Sequence, residues 1–254
     1  MILDAFRLEG NNALVTGSRT GIGRALALAL AEAGANVVVH GSQREGLEEV
    51  CAEARARGVK AAAVTADLAD PRSPERLWER ALEAFGSLDI LINNAGLLRR
   101  APAADYPEAS WNETLQVDLT AVFRLSQLAG RHMLGRGRGK IVNIASALSF
   151  QGGIFVPAYA AAKGGVAQLT KALANEWAAR GVNVNAIAPG YIETEATSAL
   201  RADPVRSRQI LERIPAGRWG VPSDLAGAAV FLCSAASDYV HGALLIVDGG
   251  WLSR

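Results

Sequence analysis

Short runs of apolar, largely β-branched residues alternate along the chain with longer segments whose apolar positions recur at helical spacing. The short runs predict strands at Asn12–Thr16, Asn36–His40, Lys60–Thr65, Leu88–Asn93, Lys140–Ala145, Val182–Ile187 and Leu244–Asp248. The longer segments predict helices, among them Gly23–Ala33, Gly46–Ala56, Pro74–Phe85 and Val166–Ala179. Such alternation is typical of βαβ crossovers, which build a parallel sheet with helices on both faces. The pattern therefore predicts one doubly wound α/β domain over residues 1–254, with a mostly parallel seven-stranded sheet.

The segment from residue 190 to residue 220 departs from this alternation. It is rich in Arg and has only weak periodicity. A long, weakly patterned insertion after a strand often forms a binding loop or a lid. We expect a substrate loop or lid at about 190–220, with a pair of short surface helices as the alternative.

Composition and charge exclude several classes of protein. The chain carries 26 Lys and Arg against 25 Asp and Glu, and this balance argues against a nucleic-acid partner. Two Cys and three His are too few for a disulfide framework or a zinc site, so no metal is expected. The first residues lack the apolar stretch of a secretory signal, and no segment is apolar over the length of a bilayer. We expect a cytoplasmic protein without a membrane partner.

A glycine-rich turn, TGSRTGIG at Thr16–Gly23, follows the first predicted strand and precedes a helix. Gly17 permits a sharp turn, Gly21 lets a pyrophosphate approach the backbone, and Gly23 allows close packing of helix on strand. The N-terminus of the helix favours an anion. In this βαβ context the turn predicts a Rossmann-like dinucleotide site. The predicted contacts in the turn are Gly17, Ser18, Arg19, Thr20, Gly21, Ile22 and Gly23.

The end of the second strand bears on the choice of cofactor. Dinucleotide-binding folds often place an acid there, about 20 residues after the turn, to hold the ribose hydroxyls. The segment His40–Arg44 contains no acid. Arg19, Ser42 and Arg44 could instead bind a 2′-phosphate. The sequence slightly favours NADP(H) over NAD(H), and solvated roles for the two arginines stay open.

The candidate catalytic residues lie at the end of the fifth predicted strand and in the helix that follows it. Ser146 ends that strand, Tyr159 follows thirteen residues later, and Lys163 comes four residues after Tyr159. On a helix this spacing places the phenol and the ammonium on one face, one turn apart. The ammonium favours the phenolate form, so the phenol can exchange a proton with a carbonyl oxygen while hydride moves at carbon. The Ser146 hydroxyl can hold the same oxygen.

These motifs together resemble the short-chain dehydrogenase/reductase family along the whole chain. Further matching segments are Asp67 after the third strand, Asn93–Gly96 (NNAG) after the fourth, Pro189-Gly190 with Thr194 after the sixth, and Asp248–Gly250 after the last. The resemblance implies an NAD(P)-dependent oxidoreductase acting on CH–OH groups, and a homotetramer. The cofactor contacts that it implies beyond the turn are Asp67, Leu68, Asn94, Ala95, Gly96, Tyr159, Lys163, Pro189, Gly190, Ile192 and Thr194.

Asp118 departs from the family's pattern. An Asn is usual at this place, and its backbone carbonyl holds a water of the proton relay. The backbone of an Asp can do the same, and its carboxylate can act on nearby charges if it lies close to them. We include Asp118 as a candidate fourth catalytic residue.

The substrate prediction combines arginines with a narrower resemblance. Arg99 and Arg100 follow the NNAG segment, where a guanidinium could bind a substrate carboxylate, although a solvated or ion-paired role stays open for each. The segments Ala145–Gly153 and Ile214–Gly220 resemble the family branch acting on keto-deoxy sugar acids, of the 2-deoxy-D-gluconate or 2-dehydro-3-deoxy-D-gluconate type. The candidate substrate contacts are Arg99, Arg100, Gln151 and Arg218.

Three alternatives to a keto-deoxy sugar acid oxidoreductase stay open. A gluconate 5-dehydrogenase and a 3-oxoacyl reductase are the alternative enzymes, and the Arg-rich segment could dock the acidic carrier of the latter. A non-catalytic dinucleotide-binding sensor is the alternative of another class. The intact set of Ser146, Tyr159 and Lys163 argues against a sensor.

Overall fold

The computed structural model describes all residues, Met1–Arg254. Its seven-stranded sheet has the order β3-β2-β1-β4-β5-β6-β7, and every neighbouring pair is parallel. The strands are β1 (Asn12–Val15), β2 (Asn36–Gly41), β3 (Ala61–Thr65), β4 (Ile90–Asn93), β5 (Gly139–Ile144), β6 (Val182–Pro189) and β7 (Leu244–Val247). The predicted fold class is confirmed.

Helices cover both faces of the sheet. They are α1 (Gly21–Glu32), α2 (Leu47–Arg55), α3 (Ser73–Phe85), α4 (Glu108–Leu115), α5 (Ala121–Arg136), α6 (Pro157–Trp177), α7 (Ser198–Ala202), α8 (Pro204–Leu211) and α9 (Ala226–Cys233). A π-helical turn at Gln116–Thr120 joins α4 to α5. None of the helices combines the length and the apolar character that a membrane crossing requires.

Consecutive apolar residues of the central strands enter two different cores. Val37 and Val39 pack with α1, α2 and α9, whereas Val38 packs with α3, α5 and α6 on the other face. A strand that is covered on both faces needs apolar residues at successive positions, because alternate side chains point to opposite faces. The prediction that these runs are covered on both sides is confirmed.

The strand order reverses between β1 and β4, and a crevice opens there at the carboxyl ends of the strands, as in other doubly wound sheets. Buried amides fix two helices beside it. Asn93 donates hydrogen bonds to Ser126 on α5 (3.1 Å) and to Asn143 on β5 (2.9 Å). Asn143 in turn donates to Thr170 on α6 at 3.0 Å. Since α6 carries Tyr159 and Lys163, this network helps to position them against the sheet.

The segment 190–220 folds into the short helices α7 and α8 and the turns around them. Ile210 of α8 is buried and packs with Ile214, Trp219 and Trp251. The segment is therefore anchored to the C-terminal residues through an apolar cluster. Its action as a lid stays a prediction.

Candidate active site

The glycine-rich turn closes against the sheet as its sequence predicts. Gly17 adopts the left-handed region with φ 63°. A Cβ at Gly23 would lie 2.2 Å from the Gly17 carbonyl oxygen, so no other residue fits there without moving the turn. The helix α1 begins at Gly21, which leaves its first N–H groups available to an anion.

His40, at the end of β2, fixes the same turn. Its Nδ1 accepts a hydrogen bond from the Gly17 N–H at 3.1 Å, and its Nε2–H donates to the Ala66 carbonyl at 2.9 Å. These partners require the neutral imidazole with its proton on Nε2. Burial lowers the pKa of His40 to about 4, although the Ala66 carbonyl and Asp67 act in the opposite direction. Sequence reasoning missed this residue, because only the fold brings β2 beside the turn.

A cleft of about 560 Å³ runs along the crevice from the turn. The predicted cofactor residues that line it are Gly17, Arg19, Thr20, Gly21, Ile22, Gly23, Ser42, Asp67, Leu68, Asn94, Ala95, Gly96 and Thr194. Lining residues that the sequence did not indicate are His40, Gly41, Ala66, Ala69, Leu97, Glu113, Val117, Glu195 and Ala196. The glycines of the turn and the start of α1 in this lining suit the pyrophosphate of a dinucleotide.

Some predicted cofactor residues lie outside this lining. Ser18 is fully buried, where its hydroxyl donates to the Val15 carbonyl at 2.8 Å and accepts from the His40 N–H at 2.9 Å. Ser18 therefore stabilises the turn from its buried side and does not line the cleft. Arg44 is exposed, lies 3.8 Å from Glu48, and borders a separate pocket along β3. Of the two arginines predicted for a 2′-phosphate, only Arg19 faces the cleft.

The residues after β6 pass close to the last strand. Gly190 donates from its N–H to the Val247 carbonyl at 3.0 Å. A Cβ at Gly190 would lie 2.7 Å from the Asp248 Cα, so glycine is required at this approach. Ile192 is buried, and Thr194 lines the cleft facing Gly21. The chain after Pro189 therefore runs from the sheet to the cleft.

Tyr159 and Lys163 lie one turn apart on α6, as predicted. The Lys163 ammonium is 5.4 Å from the centre of the Tyr159 ring and donates a hydrogen bond to the Ile144 carbonyl at 3.0 Å. Ser146 follows β5 and caps a 3-10 turn, accepting from the Leu148 N–H at 3.1 Å. The Ser149 hydroxyl donates to the Lys163 carbonyl at 2.7 Å and so holds this turn against α6.

Asp118 reaches the same ammonium from the π-helical turn. Its Oδ2 lies 3.4 Å from the Lys163 Nζ, and its Oδ1 accepts from the Leu97 N–H at 2.6 Å. Both side chains are buried. Burial raises the pKa of Asp118, and the Lys163 ammonium and the Leu97 N–H oppose that rise. Burial alone would lower the pKa of Lys163, but the charges of Asp118 and Tyr159 outweigh it and raise that pKa.

The four candidate substrate residues differ in their partners. Arg99 is ion-paired with Glu113 at 3.1 Å, and Arg218 binds both oxygens of Asp224 at 2.7 and 2.9 Å. The guanidinium lowers the pKa of Asp224 to about 2. Arg100 is exposed, whereas Gln151 is half-buried. The sequence showed the positions of these arginines but not that two of them have protein partners.

The chain matches known proteins over nearly its whole length. The family model described as enoyl-(acyl carrier protein) reductase matches residues 17–252. The 2-dehydro-3-deoxy-D-gluconate 5-dehydrogenase of Bacillus subtilis is 54% identical over 253 residues, which cover 99% of this chain and 98% of that protein.

Two crystal structures share the fold closely. A protein of Agrobacterium tumefaciens, assigned as a 2-deoxy-D-gluconate 3-dehydrogenase and holding NADP, is 55% identical with a TM-score of 0.92, covering 98% of this chain and 99% of that one. A protein of Beutenbergia cavernae, assigned as an NAD(P)-dependent gluconate 5-dehydrogenase with NADP at low occupancy, is 52% identical with a TM-score of 0.95, covering 98% and 100%. The resemblance inferred from the motifs is confirmed. The chain belongs to the short-chain dehydrogenase/reductase family of nicotinamide-dependent oxidoreductases.

Proposed function

We propose that this enzyme interconverts a secondary alcohol and a ketone on a keto-deoxy sugar acid of the 2-dehydro-3-deoxy-D-gluconate type. The observation that carries the proposal is the Tyr159–Lys163 pair on α6, next to the glycine-lined cleft. The identity of 54% to a protein named for that activity supports the substrate class.

The roles proposed for the catalytic residues follow from their positions. A bound nicotinamide cofactor supplies or accepts the hydride. The Tyr159 hydroxyl donates a proton to the carbonyl oxygen during reduction and takes it back during oxidation. The Lys163 ammonium, 5.4 Å from the centre of the Tyr159 ring, supplies a positive charge beside the group that transfers the proton. The Ser146 hydroxyl holds the substrate oxygen, and the backbone of Asp118 is available to the proton relay.

The cofactor site proposed here is the cleft described above. The turn at Gly17–Gly23 would hold the pyrophosphate, and Asp67 with Leu68 would border the adenine. Asn94 acts on the turn itself, because its amide donates to the carbonyls of Thr16 and Gly17 at 2.9 and 3.0 Å. The backbone groups freed at the start of α1 favour the diphosphate electrostatically.

We propose NADP(H) as the preferred cofactor. Arg19 and Ser42 line the cleft, and both of the related structures described above hold NADP. Replacing Arg19 with Ala should raise the KM for NADPH at least tenfold, because a charge-assisted contact to a phosphate contributes more than about 1.4 kcal/mol. The KM for NADH should change little. A wild-type enzyme that prefers NADH would contradict this assignment.

We propose Arg100 as the arginine that binds the substrate carboxylate. A substrate that bound Arg99 or Arg218 would have to displace Glu113 or Asp224, and exchanging one exposed ion pair for another gains little. Arg100 is exposed. Binding there costs mainly the ordering of its side chain.

The test is a panel of sugar acids, the matching neutral ketones and a 3-oxoacyl thioester, followed by the absorbance of the reduced cofactor. We expect turnover of the keto-deoxy sugar acids and a higher KM for them in Arg100→Met, with unchanged kinetics on neutral ketones. Turnover of gluconate alone, or of the thioester alone, would favour the corresponding alternative enzyme. Activity on neutral ketones without activity on acids would refute the carboxylate argument.

Tyr159→Phe separates chemistry from binding. The variant keeps the ring but lacks the hydroxyl, so turnover should fall at least a thousandfold, within the range that general acid–base groups contribute. Cofactor binding, measured by fluorescence of the reduced nicotinamide, should persist. Near-normal turnover in Tyr159→Phe would refute the mechanism.

We also propose a homotetramer in the cytoplasm. Phe123 on α5 is 40% exposed and Ile246 on β7 is 44% exposed, and β7 is an edge strand of the sheet. Both positions suit contacts between subunits, because an uncovered edge strand and exposed apolar side chains favour association. Light scattering during size-exclusion chromatography measures the mass, and a monomer would contradict the proposal.

A further inference from the structure

We propose that the Asp118 carboxylate is the counter-ion of the Lys163 ammonium and that it sets the pH range over which this site transfers protons. This role rests on the proposed function and adds to it a side-chain charge that acts through Lys163. Asp118 is therefore a positioning residue in this inference. Its effect reaches the substrate only through the ammonium and the phenol.

The geometry holds the carboxylate at one place. The π-helical turn leaves the Asp118 side chain fully buried, and the Leu97 N–H binds its Oδ1 at 2.6 Å. The second oxygen lies 3.4 Å from the Lys163 Nζ. A Cβ at Gly96 would lie 3.0 Å from that oxygen, so the loop after β4 also packs closely on it. The carboxylate has little room to turn away from the ammonium.

Few other charges act on this pair. Tyr159 is the titratable group of α6 that faces the Asp118–Lys163 pair. The loop after β4 and strand β5 contribute backbone groups. On α4, the Glu113 carboxylate is ion-paired with Arg99 at 3.1 Å. The Asp118 carboxylate is therefore the one carboxylate of the protein within ion-pair distance of the Lys163 ammonium.

An anion beside a buried ammonium favours the protonated form. The Asp118 charge helps to raise the pKa of Lys163, so without the carboxylate the buried ammonium loses its proton at lower pH. The limb of the pH profile for alcohol oxidation that depends on this ammonium should then move toward acid. The two charges are 3.4 Å apart, and at an effective dielectric constant of about 20 their attraction is worth more than about one pH unit.

The experiment compares kcat/KM for alcohol oxidation against pH in the wild type, Asp118→Asn and Asp89→Asn. The amide introduced by Asp118→Asn keeps the shape of the carboxylate and an oxygen for the Leu97 N–H. Asp89 is a matched control because it is also buried and ion-paired, with Arg136 at 2.7 Å, but lies at the amino end of β4. We expect an acid shift of more than about one pH unit in Asp118→Asn and none in Asp89→Asn.

Several results would overturn the inference. A profile of Asp118→Asn that superimposes on the wild type, or moves toward alkaline pH, would show that the charge of Asp118 does not act on proton transfer through the Lys163 ammonium. Asp118→Ser, which is smaller and also neutral, is the second variant. If neither variant folds, as judged by circular dichroism, Asp118 serves the fold rather than the proton transfer.

The outcome is separable from that of the proposed function. The profile can be measured on any secondary alcohol that the enzyme oxidises, so a wrong sugar acid leaves the test intact. A wild-type enzyme that oxidises no alcohol would refute the proposed function and this inference together. A normal rate with an unshifted profile in Asp118→Asn would refute the inference alone.

Discussion

His40 should make the stability of this protein depend on pH over a defined window. Its imidazole is 2% exposed and holds the Gly17 N–H and the Ala66 carbonyl in the neutral form. A proton on Nδ1 would remove the acceptor for Gly17 and place a charge in the interior. Acid should therefore unfold the protein partly through this one side chain.

The magnitude is set by the pKa of His40, which burial lowers from 6.5 to about 4. Between these values the unfolded chain binds a proton that the folded protein does not, so the free energy of unfolding falls as the pH is lowered. The contribution of His40 is fully present above pH 6.5 and declines through this window. From pH 7 to pH 5 the loss amounts to about 2 kcal/mol.

Urea unfolding at pH 7 and at pH 5 measures this loss, at one protein concentration, in the wild type and in His40→Gln. Other titrating groups contribute equally to both proteins, so the difference between the two losses isolates His40. We expect the wild type to lose about 2 kcal/mol more than His40→Gln. His132→Gln is the control, because burial lowers the pKa of His132 as well but that side chain is only partly buried. Equal losses in the wild type and His40→Gln would refute the reasoning.

Two further predictions concern close packing and the C-terminal residues. Gly23→Ala should abolish cofactor binding in a nucleotide titration, because its Cβ would collide with a carbonyl oxygen of the turn, whereas Gly164→Ala on α6 meets no atom within 4 Å and should bind normally. Arg254→Ala should raise the substrate KM without changing that of the cofactor, because Arg254 donates to the carbonyls of Glu212 and Arg213, which follow α8 within the segment 190–220. An unchanged substrate KM would show that this contact does not fix the segment.

The sheet could be predicted from the sequence because its signals are local. The apolar run at Val37–Val39 already specifies a strand covered on both faces, and the glycines at Thr16–Gly23 specify a tight connection from the first strand to the first helix. Each strand lies within two residues of its predicted bounds. Tyr159 and Lys163 were predictable for the same reason, since helical spacing alone places them together.

The partners of charged and polar side chains could not be predicted, because each pairing depends on how the chain folds and several pairs join residues that are distant in the sequence. His40 binds Gly17 across 23 positions, and Asp118 meets Lys163 from another helix. The sequence offered Arg99 and Arg218 as candidate substrate contacts, yet the fold supplies both with carboxylates. A sequence shows where charges are available, and only the fold shows which of them are already neutralised.

This distinction bears on how the site is tuned. Exposed pairs such as Arg218–Asp224 are screened by water, so they hold a turn in place with little effect on chemistry elsewhere. Asp118 and Lys163 are 0% and 3% exposed, so their charges are screened much less. One buried carboxylate beside Lys163 should therefore influence proton transfer more than the many arginines at the surface, and the pH profile of Asp118→Asn tests this. The net charge of +1 sums every charged group of the chain, whereas the determinant that we infer for the catalytic pH range is a single ion pair inside it.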